Sequence, residues 1–343
     1  MDVRTLLLCA VSAAFLRAEP IRIALAGDVM LGRLVNEQLR YRPPAHPWGD
    51  TLPLFQAADV RICNLECVIS DRGRRWTATP KVFHFRSDAK NVAVLRAAGM
   101  DAVSLANNHV LDFGDAALRD MLETLAAAGI AYAGAGRNLE EARRPVTLTV
   151  AGLHCAFVAV TDNEPECEAG PSESGIFYAP CDLADARFRT LLEIVADAAA
   201  THDLVIVSYH WGPNWGERPL PEHVRAGRAL LDAGARIVYG HSAHVTRGIE
   251  FYQGGAILYS CGDFVDDYAV DEVERNDESF VFIAVLDGRT LVEFVLVPTV
   301  IADFQARRSD PLRAARQCER MRRLCAELGT RSAFVPEGLR VFP

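Results

Sequence analysis

Apolar runs that stop abruptly at polar, metal-competent side chains constrain this chain more than any other feature. "IRIALAG" (21–27) gives way to Asp28, and "DVRIC" (59–63) to Asn64 and Glu66. "DAVSLA" (101–106) runs into Asn107, Asn108 and His109. "DLVIVSYH" (203–210) ends on His210, and "ARIVYGH" (235–241) ends on His241 with His244 just beyond. Each run is short and continuous, as buried strands are. Between them lie amphipathic segments with helical spacing, such as "DAALRDMLETLAAAG" and "DLADARFRTLLEIVADAAATH". Strand and helix alternate for most of the length, which is the grammar of an α/β fold. Ligands of such sheets bind at the carboxyl ends of the strands. Five strand ends bearing carboxylates, amides and imidazoles therefore predict one shared rim.

After about residue 247 the pattern changes. "GIEFYQGGAILYSCG" reads as a hairpin with a Gly-Gly turn, and "SFVFIAVLDGRTLVEFVLVP" as another turned at Asp287-Gly288. Antiparallel strands added late make the sheets mixed. "PLRAARQCERMRRLCAEL" spaces Leu312, Ala315, Cys318, Met321, Leu324 and Leu328 as one face of a helix. The simplest organisation is one domain over residues 20–303 with a helical tail over 304–343. Residues 163–180 form a long polar loop of the kind that carries function or moves.

The formal net charge of −9 excludes a general nucleic-acid binder, which needs a basic face. Against that acidic background, Arg72, Arg74, Arg75, Lys81 and Arg86 cluster within 17 residues, 70–86. They read either as a solvated loop or as a clamp for an anionic polymer or peptide carboxylate. "HWGPNWGE" sets Trp211 and Trp215 beside His210, with Trp211 placed in the pocket wall or as a structural anchor. Asp112 and Asp115 flank Phe113-Gly114; one is expected to orient His109 and the other to cap the following helix. Cys63, Cys155 and Cys261 lie in strand-like runs where a free cysteine acts as a small hydrophobe, so nine cysteines do not decide the redox compartment. The start, "MDVRTLLLCAVSAAFLRAEP", has one Arg before an apolar run too short to span a bilayer. It reads as a signal peptide over residues 1–19, with a cytosolic leader as the alternative.

The blocks "GDVMLGR", "NLE", "ANNHVLDFG", "HWG", "GHSAHV" and "GDF", in that order, resemble the CapA family of poly-gamma-glutamate capsule-biosynthesis proteins over residues 21–267. That family resembles the calcineurin-like metallophosphoesterases. The resemblance implies a four-layer α/β/β/α sandwich with mixed sheets. It also implies a metal set of Asp28, Glu66, Asn108, His210, His241 and His244, with Asp28, His109 and His244 catalytic. Three departures stand out. Met30 replaces the histidine of an Asp-x-His opening, Asn64-Leu65-Glu66 replaces Gly-Asp-x-x-Asp, and the Gly-His-x-His block gains one residue. One position would then keep Asn108, His210 and His241 with Glu66 as bridge. The other would keep Asp28 and His244 alone. This predicts at most one divalent ion (Mn, Zn or Mg), or none.

The function implied is capsule or exopolymer biosynthesis on poly-gamma-glutamate or a related acidic polymer or peptide. The partners implied are membrane-bound capsule synthesis proteins, and the location is the cell envelope or outside it. Two other readings stay open: a metal-dependent hydrolase, and a metal-independent peptide Cα epimerase using an Asp/His acid–base pair, which a cytosolic start would favour. Mass spectrometry of the native protein tests export. Loss of about 18 N-terminal residues is the expected outcome, as signal-peptide cleavage requires.

Overall fold

The computed structural model describes residues 19–343; the leader read at residues 1–19 lies outside the described residues except for Glu19. The strands used below are β1 (Ile21–Val29), β2 (Val60–Leu65), β3 (Ala102–Ser104), β4 (Ala131–Ala133), β5 (Val146–Val150), β6 (Leu153–Thr161), β7 (Leu204–His210) and β8 (Ile237–His241). They continue with β9 (Ile249–Tyr252), β10 (Gly255–Leu258), β11 (Asp263–Val265), β12 (Glu278–Asp287), β13 (Thr290–Ala302), β14 (Gln305–Arg308), β15 (Arg331–Val335) and β16 (Gly338–Phe342). The main helices are α1 (Val92–Ala98), α2 (Gly114–Ala127), α3 (Ala186–Thr201), α4 (Pro221–Asp232) and α5 (Pro311–Glu327).

Two mixed sheets dominate. The first has ten strands in the order β15-β16-β13-β12-β1-β2-β3-β4, with β11 also on β1 and β14 on β13. The second has six, β9-β10-β8-β7-β6-β5. Side chains alternate across each strand, and the alternation sorts them into three apolar layers. Ile23 and Leu25 of β1 meet Phe157, Ile206 and Ile237 between the sheets. Ala24 and Ala26 face outward onto Val94, Leu95, Met121 and Leu125 of α1 and α2. On the far side Val158, Val207 and Val238 pack on Phe188, Leu191 and Leu230 of α3 and α4. This is the four-layer α/β/β/α sandwich that the family resemblance implies.

Beyond residue 303 the chain contains more than the helix expected there. After α5, the strands β15 and β16 form a hairpin that pairs with β13 and extends the first sheet. The signal for these strands is weak because their exposed positions leave no continuous apolar run. The two predicted hairpins form, each with its turn one residue from the expected place. Tyr252 pairs with Gly255, so Gln253 and Gly254 turn the first, both with positive φ. Asp287 pairs with Thr290, so Gly288 and Arg289 turn the second.

The close approach that builds the site occurs at Gly27. A Cβ there would lie 1.8 Å from the Gly262 carbonyl oxygen. The Asp28 amide donates to that same oxygen at 2.9 Å. Only glycine admits the 261–262 backbone this near, and the approach sets Asp263 beside Asp28 in register. Gly27→Ala is expected to cost about 3 kcal/mol, the upper end for overpacking a core. Urea unfolding of the variant checks this.

Candidate functional site

Strand register delivers the polar groups. On the first sheet Asp28 aligns with Asn64 of β2 on one side and Asp263 of β11 on the other. On the second sheet His210 aligns with His241. The two sheets thus present their carboxyl ends to one another across a short gap. Asp28, Asn64, His210, His241 and Asp263 are all buried.

Two donor clusters result, and they share Asp28. The first joins Asp28, His210 and His241, whose ligand atoms lie within 4.8 Å of one another. His241 Nδ1 is 3.7 Å from Asp28 Oδ1, and His210 Nδ1 is 2.7 Å from His241 Nδ1. Two imidazole nitrogens at that distance need a proton between them. Around them, the Asn64 amide donates to Asp28 Oδ1 at 2.7 Å, and His241 Nε2 meets the Ser208 hydroxyl at 2.7 Å. Asn108 Oδ1 lies 3.1 Å from His210 Nε2.

The second cluster joins Asp28, Glu66, His244 and Asp263. His244 Nδ1 is 2.7 Å from Asp263 Oδ1 and 3.9 Å from Asp28 Oδ2. Glu66 Oε1 stands 3.9 Å from His210 Nε2 and 4.0 Å from His109 Nε2. Glu66 Oε2 and Asp263 Oδ2 are buried with no hydrogen-bond partner among the described residues. The added residue of the "GHSAH" block is absorbed by positive φ at Ser242 (97°) and His244 (59°). That turn aims the Ser242 amide at Asp28 Oδ2, 3.2 Å away.

Burial and like charge set the protonation of these groups. Burial raises Asp28 to about 6 against the pull of His244 and Asn64. Glu66 and Asp263 are pushed well above the carboxylate range, first by burial and then by neighbouring carboxylates. Burial lowers His241 to about 3 and His210 well below its ordinary value. Orphaned carboxylate oxygens beside neutral imidazoles are a donor set for a divalent cation, so the residues fit one. The position nearer β7 and β8 would be held by Asp28, His210 and His241, and the one nearer β11 by Asp28, Glu66, His244 and Asp263.

This differs from the sequence reading in two respects. Asp28, not Glu66, is common to both clusters. The position expected to keep only Asp28 and His244 also has Glu66 and Asp263. Asp263 belongs to the quoted "GDF", but its own strand is only three residues long, and the apolar run before it, "AILYSC", reads as the second strand of the preceding hairpin.

Above the clusters opens a cleft of about 550 Å³, with Arg33, Lys81, Phe83, His109, Trp215, His244 and Tyr268 in its wall. His109 Nδ1 is 2.7 Å from Asp112 Oδ2, so Asp112 orients it as expected. Asp115 does not cap α2; it pairs with Arg119 one turn on. Burial lowers His109 to about 4. Lys81 reaches the cleft, held by Asp112 (2.9 Å) and Glu164 (2.9 Å). The other four basic residues of that loop do not line it. Arg74 and Arg75 are exposed, Arg72 pairs with Asp120 and Arg86 stacks over Phe113. Trp211 is a correction: it is fully buried, stacked between Tyr209 and His223, and its Nε1 donates to the Tyr259 carbonyl. Alternation along the strand turns residue 211 away from the face that His210 occupies. Trp215 takes the wall instead. Arg33, which the sequence did not single out, stands in the cleft against Phe83, Phe85 and Tyr268 and pairs with Asp267.

The model of the bacterial capsule synthesis protein family PGA_cap matches residues 22–268. A probable polyglutamine synthesis accessory protein of Mycobacterium tuberculosis is 32% identical over 93% of this chain and 95% of its own length. The capsule biosynthesis protein CapA of Bacillus anthracis is 28% identical over 73% of this chain and 60% of its own. Among solved structures, a hypothetical protein from Thermus thermophilus superposes with a TM-score of 0.50 at 19% identity, covering 82% of this chain and 99% of that one.

Ligation needs ionised carboxylates and neutral imidazoles. Asp28 ionises only above about 6. Manganese or zinc is therefore expected to raise the melting temperature clearly at pH 7.5 and little at pH 5. Thermal melts at both pH values, with chelator as the control, measure the difference.

Proposed function

The chain belongs to the bacterial capsule synthesis protein family PGA_cap, and from that premise we propose that it acts in the cell envelope on poly-gamma-glutamate or a related acidic polymer or peptide, by metal-assisted attack on an amide. The observation that carries this reading is the pair of donor clusters sharing Asp28 beneath an open cleft.

The electrostatics support a bound cation. Asp28, Glu66 and Asp263 are buried together around His244, which reaches the cleft wall, and Asp266 adds its charge beside Asp263. A bare site of that sign repels a polyanion, and a divalent ion inverts the local charge. When bound, such an ion supplies Lewis-acid polarisation of a carbonyl. The chain's own groups do the rest. Arg33 and Lys81 stand at the wall where substrate carboxylates would pass. Phe83 and Trp215 offer apolar surface to the methylenes between them. His109, its Nδ1 committed to Asp112, sets Nε2 beside Asn108 and Glu66 where the cleft meets the second cluster. Burial keeps it neutral at pH 7 and lowers its basicity, so its part is positional: it can accept a proton from an attacking water and return it to the departing nitrogen. No helix of the described residues is long and apolar enough to cross a membrane. Placement at the membrane would therefore come from partner proteins of the capsule system or from residues outside the described ones.

Asp28→Asn removes the charge shared by both clusters while keeping the volume. Together with His244→Ala it tests the site. Each single variant is expected to lose activity by about 100-fold or more, and the double variant little beyond either, because groups acting as one unit fail at the first deletion. The readout is polymer production in a complemented strain, with circular dichroism to confirm the fold. Undiminished production in a folded Asp28→Asn protein would refute the assignment.

A further inference from the structure

We propose that Asp162, Cys181 and His223 form a second metal site, separate from the Asp28 centre, that takes one divalent ion of the zinc class. The three come from different parts of the chain: the residue after β6, the loop before α3, and the first turn of α4. Their ligand atoms nevertheless lie within 4.8 Å of one another. Zinc bonds of about 2.0–2.3 Å place tetrahedral ligands about 3.3–3.8 Å apart. His223 Nε2 and Asp162 Oδ2 are 3.8 Å apart, too far for a hydrogen bond and close to that edge.

Each ligand is held by other groups. The Gly212 amide donates to Asp162 Oδ1 at 2.9 Å, which fixes the carboxylate and leaves Oδ2 toward His223. His223 stacks flat on Trp211, with centroids 5.2 Å apart and 9° between planes. Gly212 also packs close on the ring, where a Cβ would come 2.2 Å from Cε1. The ring is 2% exposed, and its Nδ1 has no hydrogen-bond partner among the described residues. A buried imidazole fixed by stacking and close packing, one nitrogen facing a carboxylate it does not bond, is arranged for a ligand rather than for a hydrogen bond. Cys181 is the one cysteine of the eight described that is not buried. Its sulfur lies within 4.8 Å of the ligand atoms of Asp162 and His223. Binding would put the thiolate on the metal and release the thiol proton to solvent.

The donor chemistry separates this site from the first. The Asp28 centre offers only oxygen and nitrogen, whereas a thiolate selects zinc or cobalt over magnesium and manganese. The location suggests what the ion does. The Asp162 amide and the Thr161 hydroxyl both donate to the His210 carbonyl. A metal on Asp162 would thus tie the 181 loop and α4 to the strand end that presents His210 to the Asp28 centre.

The test uses the whole protein, stripped of metal. Zinc is expected to slow alkylation of Cys181 by iodoacetamide at least tenfold, followed by peptide mapping, while magnesium has no effect. Cobalt(II) is expected to give a near-ultraviolet thiolate-to-cobalt charge-transfer band. The band should persist in Asp28→Asn and vanish in His223→Asn and Cys181→Ser. The cobalt readout on the unsubstituted protein needs neither reagent access nor a variant that folds. Absence of that band at saturating cobalt overturns the site, as does a band that survives in His223→Asn.

Discussion

Asp28 loses its water where two sheets bring their strand ends together, and the surrounding residues answer that loss. An isolated carboxylate cannot be buried at neutral pH without partners. Here Asn64 and the Ser242 amide donate to it, and His241 and His244 stand within 4 Å. Even so it is raised to about 6. Glu66 and Asp263 are worse placed, each with an oxygen that bonds nothing among the described residues. Protein hydrogen bonds alone therefore leave the cluster short of positive charge. The deficit is the physical reason to expect a cation there, independent of any likeness to other proteins.

The same crowding explains the positions of backbone strain. Ser242 and His244 take left-handed φ in the turn that follows β8. Such conformations cost of order 1–3 kcal/mol each and persist where the surroundings fix them. The turn must do two things within four residues: leave the second sheet at His241, and return His244 to Asp263 on the first. Gly27 and Gly240 are the complementary accommodations. Each lies against another segment's carbonyl oxygen at less than 3 Å from where a Cβ would be.

Much of this was legible in the sequence because burial and chemistry coincide at strand ends. A run such as 204–210 is apolar until the residue that enters the site, so both its start and its function can be read. The alternation of strand and helix likewise marked an α/β fold, while the four layers came from the family resemblance. What could not be read shares a different cause. Asp263 sits on a strand of three residues, and Arg33 opens a helix of six, both too short for periodicity to mark the side chain's direction. Trp211 misled because adjacency to His210 in sequence places it on the opposite face in a strand. The basic loop misled because a count of charges cannot show that Arg72 and Arg86 are already engaged.

Met30 shows how a departure from an expected motif is to be weighed. In the sequence it stands where a ligand histidine was expected, and the shortfall argued for an impoverished position. In the fold Met30 is fully buried in the layer between the first sheet and its helices, and its sulfur accepts the Gly32 amide at 3.0 Å. It has become part of the core. The ligand count at the strand ends is restored by a different strand, since β11 adds Asp263 to the side of β1. Ligand sets are properties of the rim, and a rim assembled from parallel strand ends can exchange one contributor for its neighbour without changing what the gap between the sheets can hold.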